Sequence, residues 1–410
     1  MSIIRPFKGI RPRPDLASSI AALPYDVYNT EEARRIVQAN PLSFLKIDRA
    51  ETLFPEGIHI YSREVYEKAR DTLDAMIRDG EFIRDEEPCF YIYALTMDGR
   101  TQTGLVGCAS IDDYVNNVIL KHENTLEAKE ADRIRHVDTC SAQTGPIFLA
   151  YRPCEELQGI IRTVCETDPL YDFTSDDNIR HQVWKISAPD CIEHISRLFA
   201  GIPKLYIADG HHRAASAVKV GLMRRAADPD FSGTEEYNYF LSVLFPSDEL
   251  HIYDYNRVVT GRIDCTFAEF TDMIKGGFEI SEPEGTPCSP AGKGEFGLCW
   301  AGKWYRMKAD PSLFTGDPVN DLDVSILQDH ILEPVFGIRD PKKDPRLSFI
   351  GGIRGLKALE QAVQTGGAAF AMYPTSMDEL LSVADAGRLM PPKSTWFEPK
   401  LRSGLFIHRF

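Results

Sequence analysis

The apolar residues of this chain come in short blocks. CFYIYALT (89–96), GLVGCASI (104–111), IFLAY (147–151), LYIA (205–208) and YFLSVLF (239–245) have the length and the aromatic and β-branched content of buried strands. Between them lie segments whose apolar residues recur every three or four positions. In 62–79, for example, Val65, Tyr66, Ala69, Leu73, Met76 and Ile77 share one helical face, and Gly80 is the stop. Strands and helices in alternation predict a mixed α/β (α+β) fold rather than a bundle or a sandwich. The run Phe240–Phe245 is about the longest apolar stretch, far short of the ~20 residues of a membrane span, so no membrane partner is expected.

Composition narrows the class further. The 410 residues are 43% hydrophobic and 26% charged, which excludes disordered and collagen-like chains and leaves room for two or three domains. The start, MSIIRPFKGIRPRPD, is basic but has no apolar segment behind it, so it does not read as a signal peptide. Nine cysteines, scattered and never in CxxC spacing, fit thiols in a reducing cytosol, and a cytoplasmic location is expected. A net charge of −15 disfavours nucleic acid as a partner. Two positive islands interrupt it: Arg5, Lys8, Arg11 and Arg13 in 1–14, and Lys393, Lys400, Arg402 and Arg409 against Glu398 in 391–410. Such islands suit a compact anion such as phosphate, or are simply solvated termini.

No internal repeat is visible. A helix over 31–39 is capped by Thr30, and a hairpin turns at Met97-Asp98-Gly99-Arg100. Helices are expected at 125–137, 155–166, 213–227, 266–276, within 323–338 and at 353–364, with a loop over 281–296. The texture changes near 255–265, which predicts an N-terminal α/β region over 1–255 and a C-terminal α+β region over 256–410.

Three segments carry chemistry. In Lys204–Ala215, an apolar strand delivers Asp209 to its carboxyl end, Gly210 allows a tight turn, and His211, His212 and Arg213 open the next helix. A helix N-terminus with a guanidinium is a ready anion site. The plainer reading is that Asp209 caps the helix and the histidines are solvated. Adjacent histidines point about 100° apart on a helix, so a zinc site is the lesser alternative. The second segment is Lys121-His122-Glu123-Asn124-Thr125, with Asn124 and Glu127 forming a capping-box-like start. Thr125, Lys129, Asp132, Arg133 and His136 follow on one face, either a wet surface or part of a site, while Glu123 is a candidate general base. The third, 390–405, gathers Lys393, Ser394, Thr395, Lys400, Arg402 and Ser403 into a phosphate cradle without P-loop spacing. Leu23–Val27 and Asn40–Phe44 give only loop geometry. No GxSxG, HExxH or protein-kinase HRD motif occurs.

Taken in order, PYDV (24–27), NPLSFL (40–45), KHENT (121–125), QTGPIFLAY (143–151), ADGHHRAA (208–215), YNRVV (255–259) and MPPKSTWFEPKLRSGL (390–405) resemble the family described as domain of unknown function 1015 over essentially the whole chain. The ADGHHR segment is similar to the helix-start motif of the ParB/sulfiredoxin-like superfamily, in particular of free serine kinases, which make O-phosphoserine from L-serine. The resemblance implies a ParB/sulfiredoxin-like catalytic core with an added C-terminal region. It assigns Asp209, His211, His212 and Arg213 to substrate, metal and phosphate contacts and makes Glu123 the base toward the serine hydroxyl. The Glu123-to-Asp209 spacing exceeds that of a minimal core, which implies an insertion.

The resulting expectation is a Mg²⁺-dependent phosphotransferase acting on a small hydroxylated metabolite, with free L-serine as the leading acceptor. Glu123, Asp209, His211 and His212 are its catalytic candidates, and Asp209 its metal ligand. Gly210, Arg213, Lys393, Ser394, Thr395, Lys400 and Arg402 are the phosphate and substrate contacts. The donor is ATP, ADP or pyrophosphate. The alternatives are a non-catalytic nucleotide- or metabolite-binding regulator, a metal-dependent phosphohydrolase using His211 and His212, and a nuclease, which the net charge disfavours. Oligomeric state is not legible.

Overall fold

In a computed structural model, which describes residues 1–410 apart from Arg262, Glu284 and Thr365, the first two long apolar blocks form the expected hairpin. Its loop residues Asp98 and Gly99 both have positive φ (51° and 78°), as a two-residue I′ turn between right-twisted strands requires. The hairpin sits in a nine-stranded mixed sheet. Its strands are β1 Ile4–Arg5, β2 Phe90–Met97, β3 Arg100–Ser110, β4 Ile119–Leu120, β5 Ile147–Tyr151, β6 Tyr171–Thr174, β7 Arg180–Ile186, β8 Leu205–Asp209 and β9 Tyr239–Pro246. The order is β4-β8-β5-β9-β3-β2-β7-β6, with β1 beside β3. Only β4/β8 and β5/β9 run parallel. Mixed α/β architecture is therefore what the alternating sequence produces.

Helices cover the sheet with small or branched side chains. The principal ones are α1 Arg63–Arg78, α2 Glu127–Cys140 and α3 His211–Ala227. Helix α3 buries Ala214, Ala217 and Val218 against a core with Ile147, Leu149, Ile207, Phe240 and Leu244. A second core forms from the N-terminal helices, where Phe44, Leu45 and Ile47 meet Val65, Ala69 and Leu73 of α1 and Ile407 near the chain end. Each fully buried Leu, Ile or Phe contributes ~1.5–3 kcal/mol of transfer free energy.

Two compact units result: Met1–Leu250 with Pro399–Phe410, and His251–Glu398. The expected division at 255/256 differs from this at the far end, because the last residues return to the first unit. Ile407 exchanges backbone hydrogen bonds with Ile10 (3.0 and 2.8 Å), and Ser403 does the same with Ala22 (3.1 and 2.8 Å). Arg402, 3% exposed, donates to Asp177 (2.6 Å to Oδ1), to Ser175 Oγ at 3.0 Å and to His181 Nε2 at 3.3 Å. This guanidinium is a rivet for the returning segment.

The second unit is a six-stranded antiparallel sheet of β10 Tyr255–Thr260, β11 Phe278–Ser281, β12 Glu295–Trp300, β13 Lys303–Ala309, β14 Leu347–Gly351 and β15 Gly367–Met372, ordered β11-β13-β12-β15-β10-β14. The expected loop runs between β11 and β12, with Glu284 in it outside the described residues. The helical stretch at 323–336 passes through a π-helical turn at Gln328–Leu332.

Caps differ from expectation in two places. Asn29, not Thr30, caps Thr30–Ala39 through a reciprocal box with Glu32. Leu126, not Asn124, is the N-cap of α2, and no side chain caps that end. Among the described residues no helix is long and apolar enough to cross a membrane.

Arg402→Ala removes the buried partner of an ion pair whose carboxylate, Asp177, is exposed, and should cost about 1–2 kcal/mol of stability in the unit it rivets. Urea unfolding of the two proteins checks this, and a loss below ~0.5 kcal/mol contradicts the rivet.

Candidate functional site

Four of the five residues of β8, Leu205 to Ala208, are buried, and the strand ends at the half-buried Asp209. Gly210 follows at φ 93°; a Cβ there would meet the Arg213 guanidinium at 3.0 Å, so the turn needs glycine. Helix α3 then starts at His211. Strand β4 pairs parallel to β8 through Ile119↔Leu205 and Leu120↔Tyr206. The turn after β4, with His122 and Glu123, therefore leaves the sheet at the same end as Gly210. Clefts at the carboxyl ends of neighbouring parallel strands are where ligands sit in open α/β sheets.

The two turns are stitched together by the histidines. The backbone N–H of Leu126 donates to His212 Nε2 at 2.9 Å, and that of His122 approaches His211 Nε2 at 3.5 Å. The His122 and His211 rings meet edge to face, centroids 4.5 Å apart. Both Nε2 atoms thus act as acceptors, which assigns the remaining proton of each neutral ring to Nδ1. Burial pushes His122 down to about 4, and burial together with His122 holds His211 well below its usual value.

Asp209 sits between two cations. Its Oδ2 lies 3.5 Å from Arg213 Nη2 and 3.5 Å from Lys400 Nζ, the latter brought in by the returning C-terminal segment. Burial alone would raise this carboxyl, but Lys400 and Arg213 outweigh it and keep Asp209 ionised far below the ordinary range. Arg213 is oriented from behind by Pro146, whose carbonyl accepts from Nη1 at 2.6 Å. Glu123 is half-buried at the facing turn.

The polar stripe on α2 is not a wet face. Glu130, Arg133 and His136 are buried, and Arg133 lies over the Tyr25 ring at 4.1 Å while pairing with Asp132 at 2.9 Å. Asp132 also accepts from Tyr66 of α1 at 2.8 Å. Thr125 donates to Glu130 at 2.7 Å, a contact that replaces the expected cap. Next to this face lies a pocket of about 200 Å³, with a smaller cavity of about 30 Å³ beside it reaching Arg213. Tyr25, Asp48, Arg133 and His136 line both. Asp26, Asp48 and Glu51 are the residues that sequence reasoning missed; their segments read only as turns, and nothing local reveals that α1 and α2 close over them.

The basic run at 390–405 divides between the units. Lys393, Ser394 and Thr395 belong to the second unit, where Ser394 Oγ donates to Pro391 O at 2.7 Å and Lys393 Nζ lies 5.6 Å from the Tyr255 ring centre. Lys400 and Arg402 belong to the first, and only Lys400 reaches Asp209. No group of three His, Cys, Asp or Glu side chains among the described residues is placed to hold a metal ion.

A family model described as protein of unknown function (DUF1015) matches residues 4–325. No protein of curated function matches the sequence significantly. Among solved structures, a Glu-to-Gln variant of a free serine kinase in complex with AMP aligns at 15% identity and a TM-score of 0.36, covering 72% of this chain and 90% of that one. A Glu-to-Ala variant in complex with ADP aligns at 16% and 0.36, covering 75% and 93%. SbnI with a C-terminal truncation, from Staphylococcus aureus, aligns at 10% and 0.38, covering 74% and 87%. Similarity at this level assigns no activity to this chain.

The buried imidazoles make a pH prediction. Their folded values lie below the ~6.5 of an unfolded histidine, so between pH ~6.5 and ~4 the unfolded chain binds protons that the folded one refuses. Their contribution to stability is thus complete above pH ~6.5 and is lost as pH falls toward 4. In an NMR titration, the Cε1–H signals of His122 and His211 should stay at the neutral position down to pH 5; a midpoint above pH 6 for either contradicts the buried stitch.

Proposed function

The chain belongs to the DUF1015 family, and from that premise we propose that it is a small-molecule kinase, transferring a phosphoryl group to a small hydroxylated metabolite such as free L-serine. One observation carries the reading. Two turns leave neighbouring parallel strands at the same end, one carrying Glu123 and the other Asp209 with the α3 N-terminus, Arg213 and Lys400 around it. Phosphoryl transfer demands little else than alignment and neutralised charge.

In this reading the phosphates of the donor lie against the first turn of α3, whose N–H groups lack partners within the helix. Arg213 and Lys400 balance the charge that develops on the leaving oxygen. Glu123 accepts the proton of the acceptor hydroxyl as its oxygen bonds to phosphorus and the donor P–O bond breaks. His211 and His212 serve as positioning residues, since their Nε2 atoms hold the Glu123 turn in place. A ParB/sulfiredoxin-like core is part of the same proposal.

Asp209 suits Mg²⁺ only in one respect. Hard carboxylate oxygen fits the ion, which keeps most of its waters and is usually held by one or two carboxylates plus the substrate's phosphates. Asp209 would meet a Mg²⁺ that arrives with the donor, where the ion would supply charge neutralisation. The phosphohydrolase alternative draws less support, because the Nε2 atoms it would use as ligands already accept backbone N–H groups.

The test is incubation with Mg²⁺, L-serine and, separately, ATP, ADP and pyrophosphate, followed by phosphorus NMR. O-Phosphoserine should form with one donor. Glu123→Gln should slow it by a factor of ~10²–10⁴, the usual contribution of a general base, with an unchanged circular dichroism spectrum. Asp209→Asn should slow it comparably. Full activity in either variant overturns that residue's role; no phosphoserine with any donor overturns the serine reading, and bound nucleotide without turnover favours a binding protein.

A further inference from the structure

The pocket of about 200 Å³ beside α2 takes no part in the mechanism above, yet buried charged groups line its floor and exposed Asp26 and Lys129 stand at its rim. Its walls come from four places in the sequence: Tyr25 and Asp26 from the first loop, Asp48 to Glu51 after the NPLSFL segment, Tyr61 and Tyr66 at the start of α1, and Lys129, Asp132 and Arg133 from α2. Asp48, Glu51 and Arg133 are each under 10% exposed. Burying ionised groups is costly, and a fold with no use for them would fill such a space with apolar side chains.

The charges fall into two kinds. Some are spent on structure. Arg49 donates to the carbonyls of Tyr25 (3.1 Å) and Tyr28 (2.6 Å), to Thr30, and to Glu51 at 2.6 Å, so it fixes the first loop as a wall. Others keep capacity. Arg133 spends Nε and Nη2 on Asp132. Its stacking on Tyr25 fixes the plane of the guanidinium. Asp48 accepts one hydrogen bond, from Thr144 at 2.8 Å. Asp26 and Lys129 line the pocket with no ion pair to protein groups among the described residues.

Cations and carboxylates with spare capacity, facing one small space, recognise a molecule that carries both signs. We propose that this pocket binds the α-amino-acid moiety of a small zwitterion, its carboxylate toward Arg133 and Lys129 and its ammonium toward Asp26 and Asp48. The volume fits: at ~30 Å³ per liquid water it holds six or seven waters, the size class of an amino acid with seven non-hydrogen atoms, and it lies below the ~300–1,000 Å³ of drug-sized sites. The smaller cavity shares four of its walls and ends at Arg213, so an occupant is one step from the anion-binding corner. This assignment rests on the kinase reading only for the identity of the hydroxyl compound; the zwitterion pocket stands or falls on binding.

Calorimetric titration of the full chain with L-serine, ethanolamine and D-glycerate separates the two poles, since the last two each lack one. L-serine should bind, and the other two at least tenfold more weakly. Lys129→Ala, at an exposed position, and Asp26→Asn should each weaken L-serine at least fivefold while changing ADP affinity less than twofold; Arg133→Lys should weaken it further. Equal binding of all three compounds, no L-serine binding, or unchanged affinity in both Lys129→Ala and Asp26→Asn overturns the pocket. Phosphoserine formation with unchanged KM in these variants also overturns it while leaving the kinase reading intact. Pocket-dependent L-serine binding without turnover supports it while the kinase reading fails.

Discussion

Two residue pairs of parallel strand, Ile119 with Leu205 and Leu120 with Tyr206, set the geometry on which the candidate site depends. Because the strands run the same way, their exits lie side by side, and the residues that follow each are forced into one corner. An antiparallel pairing would have sent Glu123 and Asp209 to opposite ends of the sheet. Two residue pairs are a weak link by themselves. The histidine stitches, His122 to His211 and Leu126 to His212, extend it beyond the strand ends. At His211 the choice of an imidazole has a physical reason: a buried neutral acceptor can take a backbone N–H without bringing a charge into the interior.

Charge in the corner is balanced by topology rather than by sequence neighbours alone. Asp209 and Arg213 arrive together, one turn apart on β8 and α3. Lys400 arrives from the far end of the chain, carried by a segment that is riveted through Arg402 and paired to Ile10 and Ala22. With two cations on one carboxylate the corner keeps a net positive charge, which is what an incoming phosphate needs. At 3.5 Å both pairs with Asp209 are longer than a good hydrogen bond.

Local features were legible and long-range ones were not. The β8–α3 turn announced itself because strand, glycine and helix lie within twelve residues. Glu123 stood out by its company, but the placing of its turn at the same sheet end as Asp209 depends on β4 pairing with β8 across the segment that contains β5 to β7. The α2 stripe reads equally as surface or site, since polar residues at helical spacing usually face water. Its burial comes from α1, whose Tyr66 reaches Asp132, and no periodicity within α2 encodes that. Likewise 390–405 reads as one basic cradle, whereas the chain crosses between units at Pro399 and Arg402 pairs with Asp177, more than two hundred positions away.

A crystal structure with ADP is the measurement that decides whether the α3 N-terminus, Arg213 and Lys400 hold phosphate. The β-phosphate should lie against the first turn of α3, with Arg213 and Lys400 turned from Asp209 toward its oxygens. Nucleotide phosphates bound elsewhere in the first unit, or wholly within the second, would contradict this placement.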